Sequence, residues 1–238
     1  ESKRQNVIAI EKKNRIDRTK ERVNTIDAAD AKDLDDAVSV KKQSDGTFLL
    51  SVYIADVSYY VKENTALDKE AIARGTSIYI PGRVIPMLPK ELSNGICSLN
   101  AGVERLALGV DILISKNGDV INSQVFKAII KVTKKMSYDK VYKVITNNED
   151  DELKEEYGNY KDDLMNMNEL AKILNNKRME KGCINFDIPE MHVILDVDGK
   201  VKNIEAYPKT SANQIIEEFM LITNMVIAEK YYFLQLPF

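Results

Sequence analysis

An Asn-Gly pair at residues 117–118 is the feature that most restricts how this chain can fold. It separates two runs rich in β-branched and apolar residues within Arg105–Tyr138. Asn-Gly readily adopts the positive backbone angles of a tight hairpin turn, and such a short turn joins antiparallel strands only. The sequence therefore predicts a long antiparallel hairpin.

Two further strand–turn–strand patterns surround this hairpin, in Ala37–Val61 and in Ile184–Tyr207. The three prolines of Ser77–Ser93 argue against a central strand or a helix interior there. We expect the acidic stretch after Ile145 to be a loop. Helical spacing marks Ala66–Gly75, Tyr138–Ile145, Asp162–Met179 and a mostly buried Ile215–Tyr232 that follows a capping box at Ser211–Gln214. Hairpins interleaved with helices, without a βαβ rhythm, predict an α+β fold of mixed, largely antiparallel sheets packed with helices.

Charge is distributed unevenly along the 238 residues, although the net charge is only −3. Glu1–Arg22 carries eight Lys/Arg against four acids, which predicts a basic lead-in (1–22) that is either poorly packed or a helical arm. Glu149–Asp163 contributes −6, so the rest of the chain is mildly basic and compatible with nucleic acid. No linker divides residues 23–238, and we interpret both ends as cuts in a longer protein.

The two cysteines, Cys97 and Cys183, are far apart and neither has a C-x-x-C partner. This predicts reduced thiols rather than a disulfide or a zinc site. No apolar run reaches the ~18–20 residues of a membrane span, and the N-terminus lacks the apolar core of a signal peptide. We therefore expect a cytoplasmic protein with no membrane partner.

Five aspartates and one lysine crowd into Thr25–Ala37, TIDAADAKDLDDA. Like charges so close repel one another, so the chain must gain something from keeping them. The segment has neither helical nor alternating periodicity, which predicts a folded-back loop. If that loop brings Asp27 back toward Asp33, Asp35 and Asp36, the hard oxygen ligands would select magnesium, with manganese as the alternative. A carboxylate-held divalent ion suits phosphoryl chemistry, whereas the single histidine, His192, lies in a predicted strand.

Other interpretations of the aspartates stay open from spacing alone. Acid-rich loops are usually solvated, cap helices or bind calcium weakly. The EF-hand pattern fails, because Ala29 and Ala31 occupy ligand positions and the required glycine is missing. The D-x-D at Asp33–Asp35 also occurs in some phosphatases and glycosyltransferases, which leaves a different metal hydrolase or transferase as a hypothesis.

The stretch TIDAADAKDLDDAVSV resembles the signature of the ribonuclease II / ribonuclease R (RNB) superfamily of processive 3′-to-5′ exoribonucleases. The resemblance continues through further blocks, which follow in the family's order. The sequences of the IADVS and GTSIYIPGRVIPMLP segments are more similar to the ribonuclease R branch. The remaining blocks are LDKEAIARGTSIYIPGRVIPMLPKELSNGICSLN, ERLALGVDI, KGCINFDIPE and IIEEFMLITNMVIA.

The resemblance implies a role for each matching residue. It implies that Asp27, Asp33, Asp35 and Asp36 hold magnesium, and that loss of Asp35 abolishes cleavage but spares RNA binding. Tyr138 would pack against the RNA 3′ end. One of Glu217 and Glu218 would lie near the last nucleotide, and the resemblance leaves open which.

The resemblance also implies partners and a departure from the family. The expected substrate is a single-stranded RNA 3′ end, the expected products are nucleoside 5′-monophosphates, and the expected state is a monomer with flanking cold-shock and S1 domains in the parent protein. Residues 23–238 would be the N-terminal part of the catalytic domain, because the family's downstream arginine block lies beyond Phe238. The alternative is a catalytically incomplete fragment that only binds single-stranded RNA.

Overall fold

A seven-stranded sheet organises the computed structural model, which describes residues 2–184, 190–207 and 209–236. Within these ranges the strand order is β1-β8-β7-β4-β3-β2-β9, and every neighbouring pair is antiparallel except β1–β8 and β2–β9 at the two edges. Its strands are β1 (Ile16–Arg18), β2 (Asn24–Asp27), β3 (Asp36–Lys42), β4 (Phe48–Ala55), β7 (Glu104–Ile114), β8 (Val120–Lys131) and β9 (Lys134–Ser137). The α+β class expected from the sequence is confirmed.

Two small hairpins and a set of helices complete the described fold. The hairpins are β5 (Ile78–Ile80) with β6 (Arg83–Ile85), and β10 (Glu190–Leu195) with β11 (Val201–Tyr207). The helices are α1 (Ser2–Glu11), α2 (Val57–Tyr60), α3 (Ala66–Arg74), α4 (Tyr138–Ile145), α5 (Asp151–Tyr157), α6 (Lys161–Glu180) and α7 (Ser211–Phe233), with a π-helical segment at Glu91–Ile96 and a 3-10 turn at Gly158–Tyr160. None of the helices in the described ranges is both long and apolar enough to span a bilayer.

The two faces of the sheet carry different cores because side chains alternate along each strand. On one face, Val38, Val40 and Leu50 pack against helices α4–α7. On the other face, Tyr53 and Phe126 pack with loop residues that cross the sheet, among them Leu34. Helices thus cover one side, while the other side carries the loop between β2 and β3.

Most elements predicted from the sequence are present, including the Asn117–Gly118 hairpin as β7–β8 and the helices α3, α4 and α6. The predicted strand ending at Val61 is too long, because β4 ends at Ala55 and a helical turn follows. The segment after Ile145 is not all loop. Asp150 caps α5 by accepting a hydrogen bond from the Leu153 amide at 2.8 Å, and Leu153 and Tyr157 face the core.

Helix α7 also corrects two expectations. Its capping box is formed by Thr210 and Asn213, not by Ser211 and Gln214, because Thr210 is the N-cap residue and its amide donates to Asn213 Oδ1 at 3.0 Å. The helix is not mostly buried, since one face reaches the core and residues such as Met225 and Tyr232 are exposed. His192 lies in β10, as predicted. Residues 185–189, within the family block KGCINFDIPE, lie outside the described residues.

The basic lead-in is better packed than expected. Its first part is the helix α1, which agrees with the helical alternative, but β1 joins the main sheet beside β8. The buried guanidinium of Arg15 pairs with Asp56 at 2.6 Å and with Glu11 at 2.7 Å. The prediction of poor packing is therefore wrong for residues 15–18, because the paired charge of Arg15 and the hydrogen bonds between β1 and β8 fix them in place.

Replacing Gly109 with alanine is expected to destabilise the protein by about 1–3 kcal/mol. Gly109 faces Phe126 across β7–β8, and an added Cβ would lie 2.6 Å from the Phe126 ring. Thermal unfolding measures the loss, at about 2–4 °C for each kcal/mol. Gly158→Ala is the control, since φ is −52° there and no heavy atom lies within 4 Å of the added methyl group. Equal melting temperatures for the two variants would contradict the packing argument.

Candidate metal centre

The aspartate loop, residues 28–35, joins β2 to β3 and has no regular secondary structure. Asp27 is the last residue of β2 and Asp36 is the first of β3. Because these strands are antiparallel neighbours, paired at Asn24 and Val38, the loop must return the chain to the side of the sheet from which it left. The folded-back loop predicted from the sequence is confirmed.

Leu34 anchors the second half of the aspartate loop in the core. Its side chain is 1% exposed and packs with the cluster around Tyr53, even though an aspartate stands on each side of it. The amide of Leu34 donates to Ser98 Oγ at 3.1 Å, and its carbonyl accepts from the amide of Leu99 at 2.8 Å. The Ser98 hydroxyl donates to the carbonyl of Lys32 at 2.8 Å. The backbone that carries Asp33 and Asp35 is therefore fixed by buried contacts.

Burial and mutual repulsion raise the pKa values of three of the predicted ligands. Burial raises the pKa of Asp27, with a further contribution from Asp33, although the Ala28 amide and Lys135 oppose the rise. The side chain of Asp35 stays open to solvent on one side, and its pKa is raised by partial desolvation, then by Asp33 and Asp27. Burial, Asp27 and Asp35 raise the pKa of Asp36 to about 6. The four carboxylates thus lie near enough to act on one another, and the repulsion marks a place where a cation would be stabilised.

The donor chemistry of this loop fits a divalent cation, since four carboxylates supply hard oxygen ligands. The distances between these carboxylates are a separate requirement for metal binding. Across the described residues, no three His, Cys, Asp or Glu side chains are grouped closely enough to hold a metal ion. Binding would therefore require the carboxylates to close in around the ion.

Tyr79 is a neighbour of the site that the sequence did not reveal. From β5, its hydroxyl donates to Asp33 Oδ2 at 2.5 Å. This hydrogen bond raises the pKa of Tyr79 to about 12. The two residues are 46 positions apart, and an exposed tyrosine in a proline-rich segment carries no local signal for such a contact. The contact means that one oxygen of a predicted ligand already has a partner.

The parallel pairing of β2 with β9 brings Tyr138 to the same end of the sheet as Asp27. Asp27 is opposite Ser137, and Tyr138 is the next residue, where α4 begins. Its partly buried side chain packs against the helix-face core. Tyr138 and Asp27 therefore lie at neighbouring strand ends.

The structure distinguishes the two glutamates of α7. Glu218 is 2% exposed, and its carboxylate accepts hydrogen bonds from Asn175 at 2.8 Å and from Arg178 Nη2 at 2.6 Å, both on α6. Glu217 is on the outer side of the helix and pairs with Lys209 at 2.6 Å. Among the hydrogen bonds of the described residues, none joins either glutamate to the aspartate loop. Glu218 therefore holds two helices together, whereas Glu217 forms a partly exposed ion pair on the outer surface.

Glu218→Gln is expected to destabilise the protein by about 1–3 kcal/mol, because the Arg178 guanidinium loses its charged partner between α6 and α7. Glu217→Gln, one residue away and half exposed, should change stability by less than about 0.5 kcal/mol. Chemical denaturation of the two variants gives the comparison. Similar losses for both would show that the α6–α7 contact does not depend on the Glu218 charge.

Comparisons with known proteins cover nearly the whole chain. Residues 15–238 match the sequence model of the family that is described as RNB domain. Ribonuclease R of Thermotoga maritima is 46% identical over 215 residues, a region that covers 90% of this chain and 30% of that protein.

Solved structures give a consistent result. Mycoplasma genitalium RNase R in complex with ribose-methylated single-stranded RNA superposes with a TM-score of 0.86 at 31% identity, over 93% of this chain and 34% of that one. The same enzyme in complex with double-stranded RNA gives a TM-score of 0.87 at 31% identity, over 93% of this chain and 39% of that one. The chain thus spans about a third of the length of the relatives that it matches.

Proposed function

The chain belongs to the RNB domain family, and from this membership we propose that it is part of the catalytic domain of a 3′-to-5′ exoribonuclease. The observation that carries the proposal is the family match over residues 15–238, within which four aspartates that repel one another lie on the anchored aspartate loop and at the two strand ends that flank it. One relative, solved in complex with single-stranded and with double-stranded RNA, supports RNA as the substrate class.

In the proposed mechanism, Asp27, Asp33, Asp35 and Asp36 would hold magnesium, with manganese as a substitute. A divalent cation at such a site polarises the phosphodiester and lowers the pKa of a water molecule. Leu34 keeps the loop backbone fixed, so that the carboxylates do not have to be ordered again for each turnover. The water oxygen would form a bond to phosphorus and lose a proton, and the bond to the 3′ oxygen of the preceding nucleotide would break. That oxygen would take up a proton to become the new 3′ hydroxyl, and a nucleoside 5′-monophosphate would leave.

Two further residues would contact the RNA 3′ end. Tyr138, next to the Asp27 strand end, would pack against the terminal nucleotides and fix their position. Exposure favours Glu217 over Glu218 for a contact with the last nucleotide, because the carboxylate of Glu218 is already bound to α6. We further propose a cytoplasmic monomer in which cold-shock and S1 domains flank this region.

The test uses the full-length protein and an RNA with a 5′ label and a single-stranded 3′ extension. We expect magnesium-dependent shortening from the 3′ end with release of 5′-mononucleotides, and no shortening in chelator. A DNA of the same sequence serves as the substrate control. Failure to shorten the RNA at any magnesium concentration would refute the proposal.

A second candidate is an RNA-binding function without cleavage. The relative solved in complex with single-stranded and with double-stranded RNA supports RNA binding, which does not depend on the carboxylates assembling a metal site. Retention of labelled RNA in magnesium, with no change in its length, would identify this function.

A further inference from the structure

Two consecutive lysines of β9 point to opposite sides of the sheet. Lys134 reaches the helix face, where it pairs with Glu156 at 2.9 Å and lies 4.7 Å from the centre of the Tyr157 ring. Lys135 reaches the aspartate loop, where its ammonium donates to the carbonyls of Ala29 at 3.2 Å and Ala31 at 2.5 Å. The alternation of a strand thus gives the chain two neighbouring lysines with separate partners.

Lys135 holds the half of the aspartate loop that Leu34 and Ser98 do not. Those two residues fasten positions 32–34. In residues 28–31, two local hydrogen bonds fix the backbone of the described chain, from the Ala28 amide to Asp27 Oδ1 at 2.7 Å and from the Ala31 amide to the Ala28 carbonyl at 3.1 Å. The two contacts of Lys135 are the ones that connect this backbone to another strand. A charged donor makes such contacts stronger than neutral ones.

Losing the Lys135 ammonium would have two opposite effects on a cation bound nearby. The carboxylates would lose a neighbouring positive charge, which lowers the pKa of Asp27. Removing this charge would increase the affinity of the site for a cation. The loop would also lose its hydrogen bonds to Lys135 of β9. This loss would weaken cation binding, because part of the binding free energy would be used to order the aspartates. No ion pair joins Lys135 to a carboxylate of the described residues. A screened charge beyond ion-pair distance is weaker than direct charge-assisted contacts, so the second effect should dominate.

We propose that Lys135 is a positioning residue for the divalent-cation site: by holding the Ala29 and Ala31 carbonyls, it preorganises the loop between Asp27 and Asp33. This inference rests on the proposed function, since it concerns the same cation. Lys135 acts through the backbone and contacts neither substrate nor cation.

The experiment compares Lys135→Met with Lys134→Met in the full-length protein, with Lys135→Arg as the conservative replacement. We expect the magnesium concentration for half-maximal RNA cleavage to rise about tenfold in K135M, in the range of other residues that orient metal ligands. The rate at saturating magnesium should recover to near the wild-type value. K134M should match wild type, and K135R should restore most of the affinity because arginine also donates to carbonyls.

Calorimetric titration with Mg²⁺ in the absence of RNA gives a readout that does not depend on cleavage, and the same order of affinities is expected. An unchanged or lower magnesium requirement in K135M, or an equal rise in K134M, would overturn the proposal. A wild-type protein that neither binds magnesium nor shortens RNA would instead refute the proposed function. Active wild type with unaltered K135M refutes the role of Lys135 alone.

Hydrogen exchange provides a measurement that needs no variant. The Ala31 amide, bonded to Ala28 within the part of the loop that Lys135 holds, should be protected in the metal-free wild-type protein. Exchange of this amide at the rate of an unstructured chain would show that the loop is not preorganised and would contradict the proposal.

Discussion

Asp35→Asn should reduce RNA cleavage by at least about 100-fold, the scale seen when one preorganised electrostatic contact is lost from an active site. RNA affinity should stay near the wild-type value. Asp35 is the proposed ligand that follows Leu34, so its backbone is held by the core, and its carboxylate interacts with both Asp33 and Asp27. Asparagine keeps the shape but removes the charge that a divalent cation requires. Initial rates and equilibrium RNA binding, measured on the same full-length protein, separate the two effects.

Asp30→Asn is the matched control for this prediction. Asp30 lies in the same loop and is exposed, and it is not one of the four proposed ligands. The Asp30→Asn protein should cleave RNA at close to the wild-type rate. An Asp35→Asn protein that keeps its turnover, or an Asp30→Asn protein that loses it, would show that the ligands have been assigned to the wrong aspartates.

Asp36→Asn should stabilise the protein when no divalent cation is present. A carboxyl pKa raised from 3.8 to about 6 corresponds to a destabilisation of at most about 3 kcal/mol at neutral pH. Partial exposure lowers this figure to about 1–2 kcal/mol. The uncharged asparagine does not carry this cost, so the melting temperature in chelator should rise by about 2–8 °C.

The pH dependence of this gain has a defined sign. With its pKa raised, the folded protein holds the Asp36 proton more tightly than the unfolded chain does, so the stability of the wild type falls as pH rises from 3.8 to about 6. The advantage of Asp36→Asn should therefore be largest above pH 6 and nearly absent at pH 4. Magnesium should reverse the order, because only the wild type retains all four ligands. A variant less stable than wild type in chelator at pH 7.5 would contradict this account, and Asp30→Asn again serves as the control.

Local patterns predicted the parts of this fold that depend on local physics. Asn117-Gly118 marked the β7–β8 hairpin because Gly118 occupies a position with φ of 78°, which favours glycine. The aspartate loop was recognisable because no periodicity fits it. Helix α5 was missed because its charges outweighed the signal from Leu153 and Tyr157, which are four residues apart and share a buried face.

The contacts that build the candidate site were harder to predict because they join distant parts of the chain. Tyr79 reaches Asp33 from a separate hairpin, and Lys135 reaches Ala31 from an edge strand of only four residues. Glu217 and Glu218 look alike in sequence, and only the position of α6 separates a buried ion pair from an exposed one. Resemblance to a family can identify candidate site residues, but the packing of the fold determines which contacts each of them makes.

The pairing of β2 with β9 has a consequence for how the protein is made. Asp27 and Ser137 are neighbours in the sheet but are separated by most of the first half of the chain. Contacts between positions so distant in sequence form slowly, because a large loop must close before they add stability. As the chain leaves the ribosome, the aspartate loop cannot gain its Lys135 contact, nor Asp27 its Tyr138 neighbour, until β9 has been synthesised and docked. The aspartates therefore reach their final arrangement late, only when β9 has paired with β2 at the edge of the sheet.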